Sequence, residues 1–288
     1  MEHQPDRQRI VAGFDGSPEA GCALEWAAAE AERAGCRLHV VHAYQVGWPA
    51  GYFEQPTAHA VAETGRRADR LVAQAAAGVR DRHPGLDVTA AAVHDAAGPA
   101  LILTGTPDTR LIAVGNRGAG GLAGLLLGSV SRTVAAHSYV PVAVVRGPTG
   151  GTGPVVVGTD GSPAADAALE FAFAAAAARN APLVAIRAYV PPARSVLGAD
   201  GLEVAERTAL EASLHGWRDK YPDVRVTAAL GVGSAAPILM NRSRGAQLVV
   251  IGSRGRGTVT GLVLGSTGQH LMHRAGCPVV VAHTRAPA

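Results

Sequence analysis

Short apolar runs alternate with longer alanine-rich stretches along the whole chain, and that alternation sets the predicted elements. Arg9 to Phe14 is near-continuously apolar and reads as a buried strand. Ser17-Pro18 then supplies an N-cap and a proline at the first helical position, opening a helix to about Ala34. Arg37 to Ala43 is a second strand, Ala58 to Arg82 a helix, Asp87 to Val93 a third strand and Pro99 to Thr104 a short helix. Arg110 to Gly115 is a fourth strand, Ser129 to Ala136 a helix and Val142 to Arg146 a fifth strand.

The same rhythm then repeats, with strands expected near 155–159, 183–188, 223–230, 247–251 and 278–282. Val11-Ala12-Gly13-Phe14-Asp15-Gly16-Ser17-Pro18 recurs as Val156-Val157-Gly158-Thr159-Asp160-Gly161-Ser162-Pro163, an offset of 145 that still holds between Tyr44 and Tyr189. His83-Pro84 recurs as Tyr221-Pro222 at an offset of 138, so the second copy is shortened between these points. The expected organisation is a first domain over 1–146, a glycine-rich linker over 147–153 and a second domain over 154–288. Apolar strands alternating with helices predict an α/β fold. It comprises two tandem Rossmann-like, doubly wound domains, each a five-stranded parallel sheet with helices on both faces. Ligands of such sheets lie outside the carboxyl ends of the strands.

Composition narrows the class. With 288 residues, 48% hydrophobic and 17% charged, the chain is long enough for two cores and too apolar for disorder. No apolar run approaches a membrane span, and Met1 to Arg9 carries no apolar signal-peptide segment. Cys22, Cys36 and Cys277 form neither a disulfide framework nor a metal pair, so a cytoplasmic protein is expected. The net charge of +3 is spread without a basic run, which argues against nucleic acid as a partner. Lys220, the only lysine, lies outside any G-x-x-x-x-G-K-[ST] loop, which excludes a P-loop nucleotidase.

The candidate chemistry follows the fourth strand of each copy. Gly115-x2-Gly118-x9-Gly128-Ser129 is matched by Gly252-x2-Gly255-x9-Gly265-Ser266. Glycines there would take positive φ and bring the backbone close to a ligand, and the helix that follows would offer free N–H groups to phosphate. The alternative is an ordinary turn with the serine as N-cap. Asp15 and Asp160 close the first strand of each copy at the same sheet edge, where a carboxylate can accept from a ribose or base, or simply cap the turn. Arg117, Arg254 and Arg256 stand inside the loops, where they would either neutralise phosphate as permanent cations or serve as ordinary solvated loop arginines. The histidines show no metal-ligand spacing, and no nucleophile motif or poised carboxylate pair marks a catalytic centre.

The strand-one aspartate and the G-x2-G-x9-G-[ST] loop, both present twice, resemble the universal stress protein family in its tandem two-domain form, from about Ile10 to His283. The resemblance implies ATP as ligand, with or without Mg2+. It places Gly13, Asp15 and Ala43 at the adenosine, and Gly115, Gly118, Gly128, Ser129, Val130 and Ser131 around the ribose and phosphates. The matching set in the second copy is Gly158, Asp160, Ala188, Gly252, Gly255, Gly265, Ser266 and Thr267. Ala43 and Ala188 are smaller than the apolar residue that packs a base, and Gly268 stands where the first copy has Arg132.

Three function classes stay in view. The favoured one is an ATP-binding stress-response regulator with two sites per chain, acting through conformation or an unidentified protein partner. The second is a weak ATPase or nucleotide-handling enzyme; the related pyrophosphatases need a serine-rich S-G-G-x-D-S loop, which Gly13 to Ser17 lacks. The third is an interaction module holding another small ligand. Val142 to Arg146 and Val279 to His283 would be apolar edge strands, and such edges need covering. In the resembling family this strand pairs across a dimer, which implies that the two domains pair within one chain; a homodimer of chains stays open.

Overall fold

The computed structural model describes residues 8–46, 57–119, 127–146, 150–191, 198–255 and 264–284. Trp48, Gly147-Pro148-Thr149 of the expected linker and Arg256 lie outside the described residues. The chain divides into two compact units, Met1–Val134 and Ala135–Ala288.

The first unit contains β1 (Arg9–Gly13), α1 (Pro18–Ala34), β2 (Arg37–Tyr44), α2 (Ala58–Arg82), β3 (Val88–His94), α3 (Ala97–Thr104) and β4 (Thr109–Gly115). It also holds the start of α4 (Ser129–His137). The strands are parallel in the order β3-β2-β1-β4. Chain order therefore reverses at β1, and the crevice between the ends of β1 and β4 is the topological switch point. The helix boundaries follow local chemistry. The Ser17 side chain accepts the Ala20 N–H at 3.2 Å, with Pro18 opening α1. Gly35, left-handed at φ 62°, ends it.

The second unit contains β5 (Val142–Val145), β6 (Val155–Gly158), α5 (Pro163–Arg179), β7 (Leu183–Tyr189), α6 (Gly198–Lys220) and β8 (Val226–Val232), followed by α7 (Ala235–Ser243), β9 (Leu248–Gly252), α8 (Ser266–Arg274) and β10 (Val279–Ala282). Its strand order is β5-β10-β9-β6-β7-β8. Consecutive residues of β9 and β10 are buried, and since neighbouring side chains point to opposite faces, both faces of the sheet are covered. Ser162 and Pro163 repeat the α1 cap, the serine accepting the Ala165 N–H at 3.2 Å.

The doubly wound α/β architecture is the one the sequence predicts, with β10, β9, β6, β7 and β8 paired in parallel. The two closing edge strands pair with each other, β5 and β10 running antiparallel with Val142 opposite Val281 and Val144 opposite Val279, so the sheet is mixed. All four β5 residues are buried, and the ladder satisfies backbone groups that an exposed apolar edge would leave open. Among the described residues no helix is long and apolar enough to cross a membrane.

Candidate functional site

At the switch point of the first unit lies a cavity of about 290 Å3. The β1–α1 turn builds one wall. Gly16, with φ at +84°, folds the chain back so that Asp15 Oδ1 accepts the Ser17 N–H at 3.0 Å and the Ser17 hydroxyl at 2.6 Å. That is the turn-capping role. The other oxygen does more: Asp15 Oδ2 accepts the N–H of Ala119 at 2.7 Å, joining the strand-one turn to the glycine loop. In the second unit Asp160 Oδ1 likewise accepts the Ser162 N–H at 2.9 Å, and Gly161 has φ +77°.

Four of the six motif glycines, Gly115, Gly118, Gly252 and Gly255, are required for a reason other than the expected one, and a Cβ on Gly128 or Gly265 would meet nothing closer than 3.3 Å. None has a left-handed φ; the described glycines that do are Gly16, Gly35, Gly161, Gly233 and Gly245. What the loops need is closeness. A Cβ on Gly115 would lie 2.8 Å from the Glu19 carbonyl, and one on Gly252 2.7 Å from that of Ala164, so these two let β4 and β9 approach α1 and α5. A Cβ on Gly255 would lie 2.7 Å from Asp160 Oδ2, and one on Gly118 would collide with Asp15 Oδ2. These two hold the loop against the aspartate. Gly13 and Gly158 make room for Leu101 of α3 and Leu239 of α7, whose Cδ1 atoms would stand 2.9 and 2.7 Å from an added Cβ.

The loop then hands over to a helix. The Gly128 N–H donates to Asn116 O at 2.8 Å and the Gly265 N–H to Ser253 O at 3.2 Å. Ser129 and Ser266 are the first helical residues and are exposed; the N-cap of α8 is Gly265, which makes no side-chain cap bond. The first turn of α8 thus carries no side-chain cap, and its N–H groups and dipole suit an anion. Ser131, buried, donates from Oγ to Asn116 O at 3.3 Å and braces the loop.

The first cavity is lined by all ten residues singled out in that copy: Gly13, Asp15, Ala43, Gly115, Arg117, Gly118, Gly128, Ser129, Val130 and Ser131. The second cavity, about 560 Å3, is lined by all nine of its set: Gly158, Asp160, Ala188, Gly252, Arg254, Gly255, Gly265, Ser266 and Thr267. Both lie in the size range of small-molecule sites, the first at its lower edge. Arg117 is held by Glu19, Nη2 to Oε1 at 3.3 Å, at a half-exposed surface where such pairs stabilise little. Arg254 is exposed. Behind it sits buried His283, whose imidazole is pushed down to about 4, first by burial and then by the Arg254 charge.

Several lining residues escape a motif-based reading. Val41, Ala97 and Leu101 form an apolar wall beside Ala43, and Ile186, Ala235 and Leu239 flank Ala188. The repeat offset relates Ala97 to Ala235 and Leu101 to Leu239, a signal that could have found them. Arg187 and Glu206 also line the second cavity and have no counterpart of their kind in the first copy. Each copy therefore combines an apolar slot, a carboxylate at the strand end, and a loop-and-helix start suited to an anion.

These features define a duplicated, doubly wound α/β protein with one switch-point cavity per copy. The profile of the universal stress protein family matches residues 6–146 and 152–283. A universal stress protein of Mycolicibacterium smegmatis is 33% identical over 290 residues, covering 96% of this chain and 97% of that protein. One from Mycobacterium tuberculosis is 33% identical over 312 residues, covering 98% and 97%. The crystal structure of a universal stress protein from Archaeoglobus fulgidus superposes with TM-score 0.71 at 21% identity, covering 96% of each chain. The chain belongs to the universal stress protein family.

Proposed function

We propose that this protein is an ATP-binding regulator of the stress response, with one adenine nucleotide site in each of two domains, residues 1–146 and 154–288. Occupancy would set its conformation or its choice of protein partner. The observation that carries the reading is the convergence, twice in one chain, of the strand-one aspartate, the glycine loop and a helix start on one cavity. In this reading the adenosine lies against Ala43 or Ala188, near Asp15 or Asp160. The phosphates follow the loop to Gly128, Ser129, Val130 and Ser131, or to Gly265, Ser266 and Thr267, with Arg117 or Arg254 adding charge.

The residues fit such a group. An added Cβ at Gly118 or Gly255 would displace the aspartate that shapes the cavity, and the α8 N-terminus has no side-chain cap. We read the protein as a binder in the cytoplasm rather than a catalyst. Phosphoryl transfer demands placed charges and an oriented water, and a retained ligand does not. The test is denaturing release from freshly purified protein, with identification of what is released by mass. An adenine nucleotide is expected; protein that carries none and takes up none when ATP is offered overturns the reading.

A further inference from the structure

The two cavities differ most at one pair of side chains. Arg187 of β7 and Glu206 of α6 both line the second cavity and form an ion pair, Nε to Oε2. The Arg187 side chain is only 4% exposed. Burying such a pair is a poor route to stability, because desolvation offsets much of the attraction. Its position in a ligand wall gives it another use. The repeat aligns Arg187 with His42, through Tyr189 and Tyr44, and Glu206 with Ala68, through the helix ends Lys220 and Arg82. His42 Nδ1 is tied to Phe14 O at 2.7 Å, and Ala68 has no polar side-chain atom. Neither lines the first cavity; they border an adjoining hollow of about 540 Å3 that meets it at Asp15, and the wall beside Ala43 is apolar.

We infer that the second site reads the hydrogen-bonding edge of the base through Arg187 and Glu206, while the first holds a purine by apolar contact. This rests on the adenine nucleotide reading above. Adenine offers an amino donor at C6 beside the N1 acceptor. A carboxylate only accepts and a guanidinium only donates, so Glu206 takes the amino hydrogen and Arg187 donates to N1. The Glu206 carboxylate keeps acceptor capacity beyond the one oxygen that holds Arg187. Hypoxanthine reverses the pattern, with a carbonyl oxygen at C6 and a hydrogen on N1. Against a fixed pair the carbonyl meets the carboxylate and the N–H meets the guanidinium. Sites that place polar groups reject a mismatched pattern far more strongly than apolar slots reject a near-isostere.

The test isolates each site. In full-length Gly118→Arg, which leaves the second site to report, inosine triphosphate should bind at least about tenfold more weakly than ATP. In Gly255→Arg, reporting the first site, the two nucleotides should differ far less than at the second site. Adding Arg187→His with Glu206→Ala to Gly118→Arg installs the first copy's residues and leaves no unpaired buried charge; discrimination should fall to the first site's level. A melting curve verifies that this variant is folded, and Glu206→Gln in the same background, whose amide can also donate to a carbonyl at C6, should narrow the discrimination without abolishing it. Equal binding of both nucleotides at the second site, a preference for inosine there, or discrimination unchanged by these variants overturns the inference. Absence of ATP binding in wild type would instead sink the nucleotide reading itself.

Discussion

Asp15 Oδ2 accepts the backbone N–H of Ala119 at 2.7 Å, linking the end of β1 to the loop that follows β4. Its other oxygen is occupied by Ser17, so one carboxylate both closes its own turn and shapes the glycine loop. The bond requires Gly118 beside it, since any Cβ there would collide with Oδ2.

Gly118→Arg should therefore abolish nucleotide binding in the first site while the fold is kept, because the loop lies at the surface. Gly255→Arg should do the same in the second. The two cavities share no lining residue, so each variant should retain one ligand per chain. Titration with ATP beside a melting curve checks both; unchanged affinity and stoichiometry in Gly118→Arg would exclude the first loop as the phosphate site.

Gly115 and Gly252 should behave in the opposite way. An alanine at Gly115 would press within 2.8 Å of the Glu19 backbone, which has no flexible end to move aside. Overpacking of this kind costs about 1–3 kcal/mol. Gly115→Ala should lower the melting temperature of ligand-free protein, whereas Gly118→Ala should mainly weaken ATP. Denaturant titration of the two ligand-free variants distinguishes them, and equal stability would remove the packing role.

Much of this site is legible in the sequence because the duplication marks it. Asp15 with Asp160 and the two glycine loops recur at matching places, and a doubly wound fold brings those places to one edge. What the pattern did not reveal has physical causes. An apolar run such as Val142 to Val145 carries no sign of strand direction, so the antiparallel sense of its expected pairing is visible only in the structure. Glycine's identity at position 115 is compatible with a left-handed turn or with close packing, and it is the approach of the Glu19 backbone that makes it the second. Arg187 and Glu206 break the repeat, and a search for shared features passes over them.

Acid should weaken the second unit through His283. Burial, reinforced by Arg254 and opposed by a backbone bond to Ala135, lowers this imidazole from 6.5 to about 4. Its Nε2 is buried without a hydrogen-bond partner. The unfolded chain thus binds a proton below about pH 6.5 that the folded chain refuses until about pH 4. Stability from this group is intact above pH 6.5 and falls as pH drops toward 4, on the order of 3 kcal/mol at full extent. His283→Leu should flatten that part of the pH–stability curve measured by denaturant unfolding. A slope between pH 6.5 and 4 identical to wild type would show that His283 is not its source.

The most direct test of the central claim is the stoichiometry of ATP on nucleotide-free protein, measured by calorimetric titration. Two complete cavities in each chain predict saturation near two nucleotides per chain. Saturation near one would remove one copy's site, and no measurable uptake would contradict the account.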